Sequence, residues 1–79
     1  MLKTMDEMVV GQTAIVVSVN GERRIKRRLF DMGITNNTEI YLRKKAPLGD
    51  PIEITLRGYE LTLRKDEANM VVIKLKGDK

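Results

Sequence analysis

A chain of 79 residues has room for one domain, and so short a chain buries a smaller share of its surface than larger domains do. It has no cysteine and no histidine, which excludes a disulfide framework, a thiolate metal site, the usual catalytic base and the commonest zinc ligand. The formal charge of +4 is moderately basic; it permits nucleic acid, an anionic membrane surface or an acidic protein as partner and selects none of them.

The first residues, MLKTMDEM, carry no apolar signal core, and the longest apolar runs, such as Ala14 to Val17, fall far below the ~20 residues needed to cross a bilayer. The expectation is a soluble cytoplasmic protein. Thr4 and Glu7 fit the S/T-x-x-E capping box and predict a short helical turn from Met5 to Met8. Gly11 and Gln12 then turn the chain into Thr13 to Val19, a run rich in β-branched residues that reads as the first strand. Asn20 and Gly21 break it. Asn20 is the expected N-cap of the next helix, with Glu22 placed in the positive first turn and within reach of Lys26 at i, i+4.

From Arg23 the period becomes helical. Ile25, Leu29 and Met32 recur at i, i+4 and i+7, which puts them on one face, and the positions around them are almost all cationic: Arg23, Arg24, Lys26, Arg27 and Arg28. Gly33 stands where a left-handed residue ends a helix, and Ile34 can then fold back on Leu29. Asn36 and Asn37 are turn formers. In Glu39 to Lys45 the period is 2, with Ile40 and Leu42 on one side, Glu39, Tyr41 and Arg43 on the other, and a charged end that emerges into solvent. Ala46 to Pro51, APLGDP, is a stiff exposed loop rather than a tight turn. Ile52, Ile54 and Leu56, then Leu61 and Leu63, alternate with polar residues and predict a hairpin turning at Gly58 and Tyr59. Lys65 to Asn69 reads as one helical turn, Met70 to Leu75 as the last strand, and Lys76 to Lys79 as a charged tail that frays.

Five short strands and one real helix predict a mostly β domain over residues 1–79. Open sheet edges invite aggregation, so a small, partly open five-stranded antiparallel barrel is expected, with the helix as a lid. No repeat or linker interrupts it.

Catalysis finds no support in the residues. A Ser or Thr nucleophile would have only Lys or a carboxylate as base, and no such pairing stands out. Asp6 with Glu7, and Asp66 with Glu67, are neighbours that diverge on a helical turn and read as solvated surface charge. The GITNNT segment lacks the lysine and glycine spacing of a phosphate loop. For a divalent cation such as ferrous iron, Asp50, Glu53 or Asp66 would offer at most weak carboxylate binding, so no cofactor and no dedicated metal site are expected.

The cationic helix face is the main candidate contact surface, weighed against a solvated face whose arginine stems cover apolar surface. Nucleic acid could use the same charge, but barrel-type single-strand binders add aromatic stacking platforms. The aromatic residues here, Phe30, Tyr41 and Tyr59, do not alternate with basic residues on one strand. The loop Pro47, Leu48, Gly49 and Asp50 is a second candidate, since a leucine held by prolines is either a rigid apolar knob or a cap folded back on the barrel end.

The order of these parts resembles the FeoA family. The resemblance rests on Leu29, Met32, Gly33 and Ile34 as L-x-x-hydrophobic-G-hydrophobic, then Pro47, Gly49, Asp50 and Pro51 as P-x-G-D-P. A Gly58-centred hairpin with L-x-L-R and a late Glu67-Ala68 follow, and nearly the whole chain is covered. Many relatives have Pro-Gly after the helix where this chain has Asn36-Asn37, and Asn adopts the same positive φ. The resemblance implies an SH3-like barrel and a non-enzymatic cytosolic accessory to FeoB, a ferrous-iron transporter with a cytosolic GTP-hydrolysing domain. Such a protein meets the membrane only through its partner. The alternatives are a basic nucleic-acid-binding barrel, or a stand-alone sensing module related to the C-terminal domain of iron-dependent repressors. A monomer or a weak homo-oligomer is expected.

Overall fold

The computed structural model describes residues 2–77. Six antiparallel strands form one sheet: β1 (Leu2–Thr4), β2 (Thr13–Val19), β3 (Glu39–Lys45), β4 (Ile52–Leu56), β5 (Tyr59–Leu63) and β6 (Val71–Leu75). Their order is β1-β6-β2-β3-β4-β5, so β1 and β5 are the two edges and the barrel is partly open. Helix α1 (Arg23–Asp31) links β2 to β3, and the one-turn α2 (Lys65–Ala68) links β5 to β6. A 3-10 turn, Met5–Glu7, follows β1, and the Glu7 carboxylate accepts the Thr4 N–H at 2.9 Å as the capping box predicts.

The sheet has one strand more than expected. β1 has three residues, too few to show an alternation, and its pairing with Lys74, Ile73 and Val72 is supplied by the far end of the chain. Two bulges also interrupt the strand pattern. Opposite β6 the register shifts between Val16 and Ser18, so Val16 and Val19 both face inward although two residues lie between them, and Val17 is turned outward. Opposite β4 the shift lies between Leu42 and Lys44; Arg43 is the extra residue there, and its guanidinium reaches Glu53 and Glu60.

The hairpin turn is Arg57–Gly58, both at positive φ (48° and 85°), and Tyr59 is already the first residue of β5, opposite Leu56. Two left-handed residues make a type I′ turn, whose twist matches that of the flanking strands. The expected turn at Gly58 and Tyr59 is therefore one residue late. The last strand likewise begins at Val71, with Met70 half-buried before it. Beyond β6, Lys76 is held by its N–H on the Thr13 carbonyl at 2.8 Å and its Nζ on Glu39 at 2.7 Å, so it is no frayed tail; residues 78–79 lie outside the described residues.

One core fills the inside of the curved sheet. Val16, Ile40, Leu42, Ile52, Ile54, Leu56, Leu63 and Ile73 come from the strands, and Met5, Met8, Leu29, Ile34 and Ala68 cover its open sides. Among the described residues no helix is long and apolar enough to cross a membrane.

Candidate functional site

Helix α1 is placed by its two ends. At the start, Asn20 donates its N–H to the Met70 carbonyl at 2.7 Å, and Gly21, at φ +96°, sits so close to Met70 that a Cβ would meet Sδ at 2.8 Å. The N-cap is Glu22 with extended backbone, not Asn20, because the helix begins at Arg23 and Gly21 and Glu22 stand between it and Asn20; the cap has no side-chain hydrogen bond. Glu22 and Lys26 are joined by the backbone bond at 2.9 Å and form no ion pair. At the other end Gly33 (φ +98°) donates to Phe30 O at 2.9 Å and Ile34 to Leu29 O at 3.0 Å, the paired bonds of a Schellman ending. Leu29 and Ile34 are fully buried, while Ile25 and Met32 are half-buried and pack on the rim of the core.

This anchoring leaves the charged side of α1 outside. Arg23, Arg24, Arg27 and Arg28 are exposed and Lys26 is half-buried. Arg28 is committed to the fold: its Nη1 lies 3.1 Å from Glu67 Oε2 on α2. Arg23, Arg24, Lys26 and Arg27 form no ion pair among the described residues. Glu67, expected as solvated charge, is only 7% exposed, and its Oε1 also accepts the Arg64 N–H at 3.0 Å. A carboxylate that closes the first turn of a one-turn helix and receives a guanidinium from a second helix has satisfied partners, which is why it can be buried.

The loop after β3 is pinned at both ends. Gly49 N–H donates to Ala46 O at 2.7 Å and Ala46 N–H to Pro51 O at 3.0 Å, with a cis bond between Asp50 and Pro51. Asp50 Oδ1 accepts the Lys65 N–H at 3.0 Å, tying the loop to α2. Pro47 and Leu48 form the tip, and Leu48 is 90% exposed, so the knob and not the folded-back cap is what the structure shows. The two candidate surfaces thus touch the same short helix, α1 through Arg28–Glu67 and the loop through Asp50–Lys65.

Two residues have places in the site that the sequence pattern did not assign to them. Glu67 is one. Phe30 is the other: it lies i+7 from Arg23 and i+3 from Arg27, and with Gly21, Arg23, Lys26 and Arg27 it lines a shallow hollow of about 360 Å³. Helical spacing carries that signal, which an alternation along a strand cannot contain.

No group of three or more His, Cys, Asp or Glu side chains is placed to hold a metal ion among the described residues. Of the carboxylates considered for a cation, Asp50 accepts Lys65 N–H, Asp66 accepts Glu67 N–H at 2.9 Å, and Glu53 lies beside Arg43.

Comparison with known proteins follows the same outline. A family model described as the FeoA domain matches residues 3–75. The solution structure of a FeoA-like protein from Clostridium acetobutylicum is 37% identical with a TM-score of 0.90, covering 99% of this chain and 91% of that one. FeoA of Stenotrophomonas maltophilia, solved in complex with zinc and described as a procaryotic SH3 domain protein, is 29% identical with a TM-score of 0.80, covering 91% of this chain and 89% of that one. A fusion of Fe(2+) transport protein A with the Fe(2+) transporter FeoB from Porphyromonas gingivalis is 28% identical over 71 residues, which is 90% of this chain but only 8% of the fusion's length.

Proposed function

The chain belongs to the FeoA domain family, and from that premise we propose that it is a cytosolic accessory protein of ferrous iron transport that docks on the soluble part of a FeoB-type transporter. The observation that carries this reading is the Porphyromonas gingivalis fusion, in which a segment matching this chain shares one polypeptide with the transporter. Covalent linkage raises the effective concentration of two modules that meet, and a separate chain must supply by affinity what the linker supplies there.

The docking surface we assign is the outer side of α1, with Arg23, Arg24, Lys26, Arg27 and the outer part of Arg28, together with the tip Pro47, Leu48, Gly49 and Asp50. Support comes from the four cations that form no ion pair among the described residues and from an apolar side chain held far into solvent on a pinned loop. Unpaired charge of one sign steers an oppositely charged partner and an apolar anchor slows its departure. The role is that of an adaptor, with no catalytic step and no resident cofactor.

The test is calorimetric titration of the chain against the transporter's soluble GTP-hydrolysing domain, near 150 mM salt, before and after Arg24→Glu with Arg27→Glu. Binding that falls by about tenfold or more on charge reversal is expected. No binding by the unaltered chain would overturn the adaptor reading, and unchanged binding after reversal would remove α1 from it.

A further inference from the structure

Resting on that docking surface, we infer that the α1 face is built for an acidic segment carrying one large apolar side chain, its carboxylates over Arg23 and Arg27 and its apolar group in the hollow beside Phe30. Arg23, Lys26, Arg27 and Phe30 stand at i, i+3, i+4 and i+7 and therefore share one side of the helix. The three cations have no carboxylate partner among the described residues, so a ligand's charge would meet them without first displacing an internal one. Phe30 is 46% exposed while its neighbour Leu29 is fully buried; it packs nothing essential to the core, yet it gives the hollow an apolar wall. A half-exposed aromatic flanked by arginines has the composition of an interface anchor.

The order of residues along the axis gives the face a direction. Cations occupy its first half, Phe30 its second, and exposed Asp31 follows at once. A partner's carboxylates are drawn toward Arg23, where the positive end of the helix dipole acts in the same sense, and are repelled from Asp31. The seven helical steps from Arg23 to Phe30 span about 10 Å, so acid and anchor on the partner are separated by roughly three residues of extended chain or two turns of helix. Exposed Glu22 and Asp31 close the patch at both ends. A continuous polyanion such as DNA would have to run its phosphates past both carboxylates, whereas a short acidic segment fits between them.

The experiment uses the full chain and a fluorescein-labelled 12-residue peptide with two adjacent glutamates followed, after two glycines, by tryptophan. A second peptide has alanine for tryptophan, and a 20-nucleotide single strand is the competitor. Anisotropy at 50 and 150 mM salt should show the tryptophan peptide bound about tenfold more tightly than the alanine peptide. Phe30→Ala should erase that difference while leaving the salt dependence, and Arg23→Glu with Arg27→Glu should abolish binding of both. Melting curves establish that each variant is folded. Equal affinity for the two peptides, indifference to Phe30→Ala, or displacement by the oligonucleotide at equal charge would overturn the inference. Binding of the transporter's soluble domain that ignores Phe30→Ala would also overturn it and leave the adaptor role standing. Peptide recognition without any binding of that domain would sustain the inference and end the adaptor role.

Discussion

The Tyr59 hydroxyl donates to the Met32 carbonyl at 2.6 Å, and it does so across the space that a Cβ on Gly33 would enter, 2.5 Å from that same oxygen. The first strand residue after the hairpin thus satisfies the helix end, and only glycine leaves room for it. Gly33→Ala combines a left-handed backbone with this collision. It should cost about 2 kcal/mol or more and lower the melting midpoint by roughly 8 to 16 °C. Tyr59→Phe should cost about 1 kcal/mol for the lost hydrogen bond. In the Tyr59→Phe background the Gly33→Ala penalty should shrink, because the colliding oxygen is gone; urea denaturation of the four-member cycle would show additive costs if the two residues did not interact.

Glu67 and Arg28 form one ion pair, but the two ends are not equivalent. Arg28 is 66% exposed at its side chain and Glu67 9%, and Glu67 alone also closes α2 on the Arg64 N–H. Arg28→Ala should therefore cost less than about 1 kcal/mol, and Glu67→Ala about 1 to 3 kcal/mol. Denaturant midpoints of the two variants measure the difference, and equal costs would contradict this division of roles.

Arg57 holds φ 48° in the hairpin turn, a conformation in which asparagine or glycine is more at ease. Among the described residues its guanidinium makes only long contacts, 3.4 Å to Thr35 Oγ1 and 3.3 Å to Thr38 Oγ1. Arg57→Asn should stabilise the protein by about 0.5 to 1 kcal/mol, since relief of the turn outweighs those contacts. A thermal melt that moves down instead would show the Arg57–threonine cluster to matter more than the turn.

Leu48 is so exposed that its removal touches no packing. Leu48→Ala should leave stability within about 0.5 kcal/mol of the parent. The same variant should weaken binding to the transporter's soluble domain, measured by calorimetry, if the loop tip is a contact. Full binding would restrict the surface to α1.

Much of this architecture can be read from residues that state their own geometry. The Ile25–Leu29 spacing with Gly33 and Ile34 defines a helix and its ending, and the alternation of Ile52 to Leu63 defines a hairpin. What stayed hidden depends on partners distant in the chain. β1 exists because β6 offers it an edge, and the bulge at Val17 becomes visible only once Val16 and Val19 are opposite Ile73 and Val71. An arginine at a left-handed turn position violates the usual choice of asparagine, so the turn reads one residue late. For the surface, the number of cations on α1 is plain from sequence. Which of them is already taken depends on Glu67, which is buried on α2, 36 residues beyond the end of α1.

The place of β6 has a consequence for how the protein is made. The last strand of the sheet in chain order lies between β1 and β2, and β1 pairs with no other strand among the described residues. A nascent chain halted before Val71 would therefore lack the seam that joins its beginning to its middle, and contacts so distant along the chain form slowly. All of the stretch from β1 to β6 must be available before this domain can close, so its two ends commit together.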